Sequence, residues 1–147
     1  RVIFHNNFRQ KDPKLGEWVH WIVVNIPAHN GALFTSNSPI KSKIPLAADL
    51  FTKSAAAAAQ TTLVSYVGAA PPKGSGLHRY CFVLYRYKGT RDFGSFVHIG
   101  MTGSGRSKFK CQEFAHKYNL GHAPVAVACF EAEYDDHVPL VYASLKH

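Results

Sequence analysis

Two histidines and one bent turn are the residues of this chain best placed to do chemistry. His20 sits inside an apolar run, W-V-H-W-I-V-V-N-I at residues 18–26, between Trp18 and Trp21. His78 lies near the end of P-P-K-G-S-G-L-H-R-Y at residues 71–80, next to Arg79. Prolines fix φ and glycines permit positive φ, so this turn is stiff and sharply bent. Such a turn can bring bare N–H groups and an imidazole to one small polar ligand. Two imidazoles on paired strands can converge on one anion. A histidine in so apolar a strand either faces a cavity or is satisfied by a hydrogen bond within the core. Strand alternation places His20 on the side of Trp18 and opposite Trp21. For Arg79 the plain alternative is an ion pair with Asp135 or Asp136.

The chain carries little that would turn a substrate over. It has no G-x-S-x-G elbow, and Ser75 in G-S-G is only a superficial likeness to one. The nine histidines are scattered, with no H-x-x-x-H or H-E-x-x-H spacing for zinc. There is no G-x-G-x-x-G or Walker loop. Asp135 and Asp136 are neighbours, better suited to a turn than to paired acid–base work. The expectation is a protein without catalysis, cofactor or metal. Three widely spaced cysteines, Cys81, Cys111 and Cys129, argue against a disulfide framework and for a reducing compartment.

Several elements must position these residues. Residues 18–26 read as a strand buried on both faces and ended by Pro27. Residues 28–45 are loop, and the five alanines at 55–59 fit either a short helix or a low-complexity surface insertion. Residues 63–67 and 80–87 are strands, and residues 88–106 an irregular excursion. Ser107 can cap a helix running to about Leu120, with Gly121 as its stop. Residues 124–133 read as another strand, 135–136 as a turn and 138–145 as a short helix. This pattern predicts a single mainly β domain over residues 1–147, a β-sandwich with a few short helices. No apolar run is long enough to span a bilayer, so no transmembrane segment is expected.

Net charge is +8 and unevenly spread. Residues 73–117 carry nine Lys/Arg against Asp92 and Glu113, a net +7, while residues 118–147 carry a net −3. The basic middle is either an ordinary solvated surface or a face for phosphate, acidic lipid or RNA.

At this point the residues resemble a known family. E-W-V-H-W-I-V-V-N-I-P at residues 17–27 is similar to a strand of the phosphatidylethanolamine-binding proteins, the Raf kinase inhibitor protein family. Y-V-G at 66–68 leading into residues 71–80 is similar to the family's glycine- and proline-rich H-R-Y signature. Residues 109–126, 131–136 and 138–142 and Lys11-Asp12-Pro13 also match, in the right order. The resemblance implies a Greek-key β-sandwich with a small anion pocket at one end. It implies a binding module for phosphate or a phospholipid headgroup such as phosphorylethanolamine. It further implies work through protein partners such as a kinase, in the cytoplasm. By position, His20 and His78 would line the pocket, Trp18 would stand at its mouth, Gly68 and Pro72 would shape its floor and Tyr142 would close one side. Two features depart from the family. The acids of its D-P-D-x-P wall are replaced around Phe4 to Arg9, where Asn6 is at best a neutral stand-in. The leading strands are missing and an insertion falls at about residues 28–62. These departures leave room for an alternative, a protein of the mitochondrial large ribosomal subunit with a degenerate pocket, meeting rRNA through its Lys and Arg.

Overall fold

The computed structural model describes residues 2–9, 16–27 and 61–145. Residues 28–60, most of the segment expected above to be an insertion and including the alanine run, lie outside the described residues. Seven elements follow one another: β1 Val2–Arg9, β2 Trp18–Val24, β3 Thr61–Val64, β4 His78–Tyr85, α1 Cys111–Lys117, β5 Ala126–Ala132 and α2 Val138–Ser144. The domain is mainly β with short helices, as the pattern predicts. Among the described residues the strands make one antiparallel five-stranded sheet in the order β3-β2-β1-β4-β5. β1 lies at its centre, although residues 2–9 carry no strand prediction above.

One face of this sheet carries the main core. Val19, Ile22, Val24, Leu63, Val64 and Tyr85 pack there with Phe93 and with Cys111, Phe114, Ala115, Tyr118 and Leu120 from α1 and its C-terminal turn. The apolar stripe Cys111, Phe114, Ala115, Tyr118 is the one helical spacing predicts. The opposite face carries a smaller cluster of Trp21, Val23 and Ile26, with Phe82 against it.

The assignment of Val19 to the first face and Trp21 to the second follows from a β-bulge. Asn6 of β1 pairs with Val19, and the preceding residue, His5, pairs with Trp21. His20 is the extra residue. A bulge breaks strict alternation, so Trp21 joins His20 on one face while Val19, Ile22 and Val24 stay on the other. The expectation that His20 and Trp21 point opposite ways is corrected by this single added residue.

Three local features also differ from the sequence reading. α1 begins at Cys111, not near Ser107, and its N-cap Lys110 supplies no side-chain bond. Instead the Glu17 carboxylate, distant in sequence, accepts from the Cys111 N–H at 2.9 Å. At the other end, Asn119 takes φ 50°. Its N–H donates to the His116 carbonyl, and the Leu120 N–H reaches back to the Ala115 carbonyl. That is a Schellman stop built on asparagine, two residues ahead of Gly121. Finally, Cys81 and Cys129, directly opposite in the β4–β5 ladder, form a disulfide, leaving Cys111 buried and free. The odd count conceals one bonded pair. With a bonded pair present, the cysteine count no longer favours a reducing compartment.

Candidate binding site

The bulge residue is the starting point. The His20 ring lies 4.3 Å from the Trp18 ring, centroid to centroid, and 5.2 Å edge-on from Tyr80 of β4. Its Nδ1 is 2.9 Å from the Val67 carbonyl. A carbonyl only accepts, so the proton sits on Nδ1 and Nε2 presents a lone pair. The Val67 N–H in turn donates to the His20 carbonyl at 2.9 Å. Burial pushes the imidazole down to about 4, and the bond to Val67 only partly offsets this. His20 is therefore neutral at physiological pH, an orienting acceptor and not a cation.

Arg106 holds the same backbone from behind. Its guanidinium is fully buried and donates to the carbonyls of Val19, His20, Ser65 and Gly100 at 2.6–3.2 Å, and to that of Thr102 through Nε. All five acceptors are neutral carbonyls, so burial lowers its pKa to about 10. Its Cζ also stands 5.2 Å from the centroid of the Trp18 ring. Arg106 thus ties the start of β2 to the segment after β3 and to the loop at residues 100–102. Nothing in G-S-G-R-S signals this burial, and the sequence reading missed it.

The bent turn forms as its composition predicts. Gly74 and Gly76 have φ of 77° and 73°. The Ser75 N–H donates to the Pro72 carbonyl at 3.0 Å, closing a β-turn with glycine at the position that needs positive φ. Pro71 is buried, whereas Pro72 is exposed and contributes its carbonyl. The Ser75 hydroxyl donates to the same carbonyl at 2.6 Å and lies 2.7 Å from His78 Nε2. A hydroxyl has one proton, so His78 must donate to Ser75 Oγ. A serine poised as a nucleophile would need the reverse arrangement. The pair orients His78 and does not activate Ser75.

α2 completes this end of the sheet. Its Val138 and Val141 are buried, with Val141 beside Gly68, and the Tyr142 hydroxyl donates to the Ala70 carbonyl at 3.0 Å. A Cβ on Gly68 would meet Val141 Cγ2 at 3.7 Å, an ordinary contact, so sterics alone do not demand glycine there.

The predicted residues are thus brought to one end of the sheet. His20 contacts Trp18 directly and bonds Val67, the residue before Gly68. His78 stands two residues before Tyr80 on the same face of β4, and Tyr80 touches His20. Tyr80, overlooked in the sequence although it closes the H-R-Y motif, also stacks on Phe130 of β5 at 5.2 Å. The register places Asn7, not Asn6, opposite both Trp18 and Tyr80; Asn6 pairs with Val19 and Cys81. Arg79 forms its ion pair with Glu131 at 3.3 Å, in place of the expected Asp135 or Asp136. The Asp135 carboxylate instead accepts from the His137 N–H at 3.0 Å, the turn role foreseen for it. Among the described residues no His/Cys/Asp/Glu cluster could hold a metal ion, and no helix is long and apolar enough to cross a membrane.

The end of the sheet thus gathers two buried histidines under a stiff turn, one ring nitrogen bonded to backbone and one to a serine. The family model for phosphatidylethanolamine-binding proteins matches residues 7–130, and the chain belongs to that family. Membership in this non-catalytic family supports a non-enzymatic reading. The same membership supports a binding module of the family's general type. The chain is 28% identical over 136 residues to "Putative odorant-binding protein A5" of Drosophila melanogaster, covering 92% of this chain and 52% of that protein. It therefore spans about half the length of that relative. The solution structure of CG7054 matches with a TM-score of 0.60 and 31% identity, over 99% of this chain and 70% of the other. A carboxypeptidase Y inhibitor, solved in complex with its cognate proteinase, shares the fold with a TM-score of 0.51 and 23% identity, over 91% of this chain and 59% of the other. The ribosomal alternative gains no support from these comparisons.

Proposed function

We propose that this protein binds a small phosphate-bearing molecule, of the phosphorylethanolamine type, at the His20–His78 end of the sheet, and acts in the cytoplasm by restraining or scaffolding a protein partner such as a kinase. The closed Greek-key sandwich of the family is part of this reading. The observation that carries it is the gathering of Trp18, His20, Tyr80 and His78 beside the turn held by Tyr142. The test is titration of the protein with phosphorylethanolamine, followed by calorimetry and by NMR of the histidine rings. Saturable shifts at His20 and His78 are expected, and unshifted rings at saturating concentrations reject the pocket. A small apolar volatile, the class suggested by the name of the Drosophila relative, run in parallel separates a headgroup site from an odorant site.

A further inference from the structure

The β4–β5 pair is held from both faces by different means. On one face, Cys81 and Cys129 are covalently joined across the ladder, their Cα atoms 4.1 Å apart. On the other, Phe130 stacks on Tyr80 at 5.2 Å and on Phe82 at 6.3 Å. Strand alternation separates the two, because Phe130 directly follows Cys129. β5 ends the sheet as described, and every one of its residues is exposed except half-buried Ala132. Among the described residues a further side-chain tie to β4 is the exposed Arg79–Glu131 pair, and such pairs contribute little. An edge strand with so little packing opens more readily than the core once a cross-link is removed.

We propose that the Cys81–Cys129 disulfide is a thiol-addressed latch. Its reduction lets β5 lift from β4, withdraws Phe130 from Tyr80 and opens that side of the His20–His78 site. The chemistry is ordinary thiol–disulfide exchange with a cellular thiol or dithiol. A thiolate attacks Sγ of the exposed Cys129, the S–S bond breaks, and Cys81 leaves as a thiolate that takes up a proton. A second thiol attacks the mixed disulfide and releases Cys129 as a thiol. Two electrons and two protons pass to the protein, and the reductant leaves as its own disulfide. Cys111 does not compete. It is buried on α1 within the main core, and its thiol is pushed up to about 12.

Hydrogen exchange read by mass spectrometry, on the protein before and after treatment with dithiothreitol, tests the latch. The untreated protein is expected to show one free thiol after denaturation, and the treated protein three. With three thiols confirmed, amides of residues 126–132 should exchange at least about tenfold faster, those of α1 should be unchanged, and the His20 and His78 ring signals should shift. The double variant Cys81→Ser/Cys129→Ser should show the same pattern without added thiol. If that variant fails to fold, the treated wild-type chain still decides. Three thiols in the untreated protein, unchanged exchange in β5 after full reduction, or equal acceleration throughout the chain would each overturn the proposal.

Discussion

His20 and Val67 hold each other twice: the imidazole Nδ1–H donates to the Val67 carbonyl, and the Val67 N–H donates to the His20 carbonyl. The bulge frees His20 from regular pairing with β1, and this reciprocal tie takes over on the opposite side. One ring nitrogen is thereby committed to structure, and the ring is buried in its neutral form.

This gives a signed pH dependence. In the unfolded chain His20 titrates near 6.5, and in the fold at about 4. The unfolded state therefore binds more protons between those values, and the contribution is complete above pH 6.5 and lost as pH falls towards 4. At about 1.4 kcal/mol per unit, the loss approaches about 3 kcal/mol. Urea denaturation at pH 7 and pH 4.5 should show it, and His20→Phe should flatten that part of the profile. An unchanged profile in the variant would place the acid sensitivity elsewhere.

Arg106 is expected to be the least replaceable cation. Arg106→Met leaves five carbonyls without their buried donor, at about 1–3 kcal/mol for each that water does not reach. A loss of about 4 kcal/mol or more is expected. Arg106→Lys should recover only a part, since an ammonium lacks the planar fork. Denaturation midpoints measure both, and a lysine variant as stable as wild type would contradict the five-carbonyl account.

Asn119 occupies left-handed backbone at the end of α1. Asn119→Ala should destabilise by about 1–2 kcal/mol, whereas Asn119→Gly should be neutral or slightly stabilising. Thermal melts of the two variants distinguish a conformational requirement from a side-chain contact, which glycine would also lose.

Glu17 caps α1 from outside it. Glu17→Ala removes the acceptor for the Cys111 N–H and should lower stability by about 1 kcal/mol. Faster hydrogen exchange confined to the first turn of α1 would locate the effect. Uniform acceleration through the sheet would assign Glu17 another role.

What the sequence made legible were the features that repeat along it. The run around His20, the stripe Cys111–Phe114–Ala115–Tyr118 and the glycines of the 71–80 turn all read correctly because period and composition are local. The hidden features are those made by distance or by one extra residue. The His20 bulge leaves no mark in a run where every residue from Trp18 to Val24 is apolar, aromatic or β-branched. Glu17 and Cys111 are 94 residues apart, so no capping pattern could join them. Arg106 looks like any surface cation in a glycine- and serine-rich loop. Cys81 and Cys129 meet only because β4 and β5 are in register. The resemblance proposes residues 18, 20, 68, 72, 78 and 142 as a site, of which only His20 and His78 also stand out by residue type. The linking role of Tyr80 and the protonation of His20 required the sheet.

The same cross-link has a topological effect. It joins positions 48 residues apart, so the excursion at 86–110, all of α1 and the start of β5 lie within one covalent ring. A protease that cuts the exposed glycine- and serine-rich loop releases no fragment. Nicked and intact molecules keep the same mass apart from one added water, and only reduction separates the pieces. The segment best displayed to proteases is thus the one whose cleavage leaves the molecule whole.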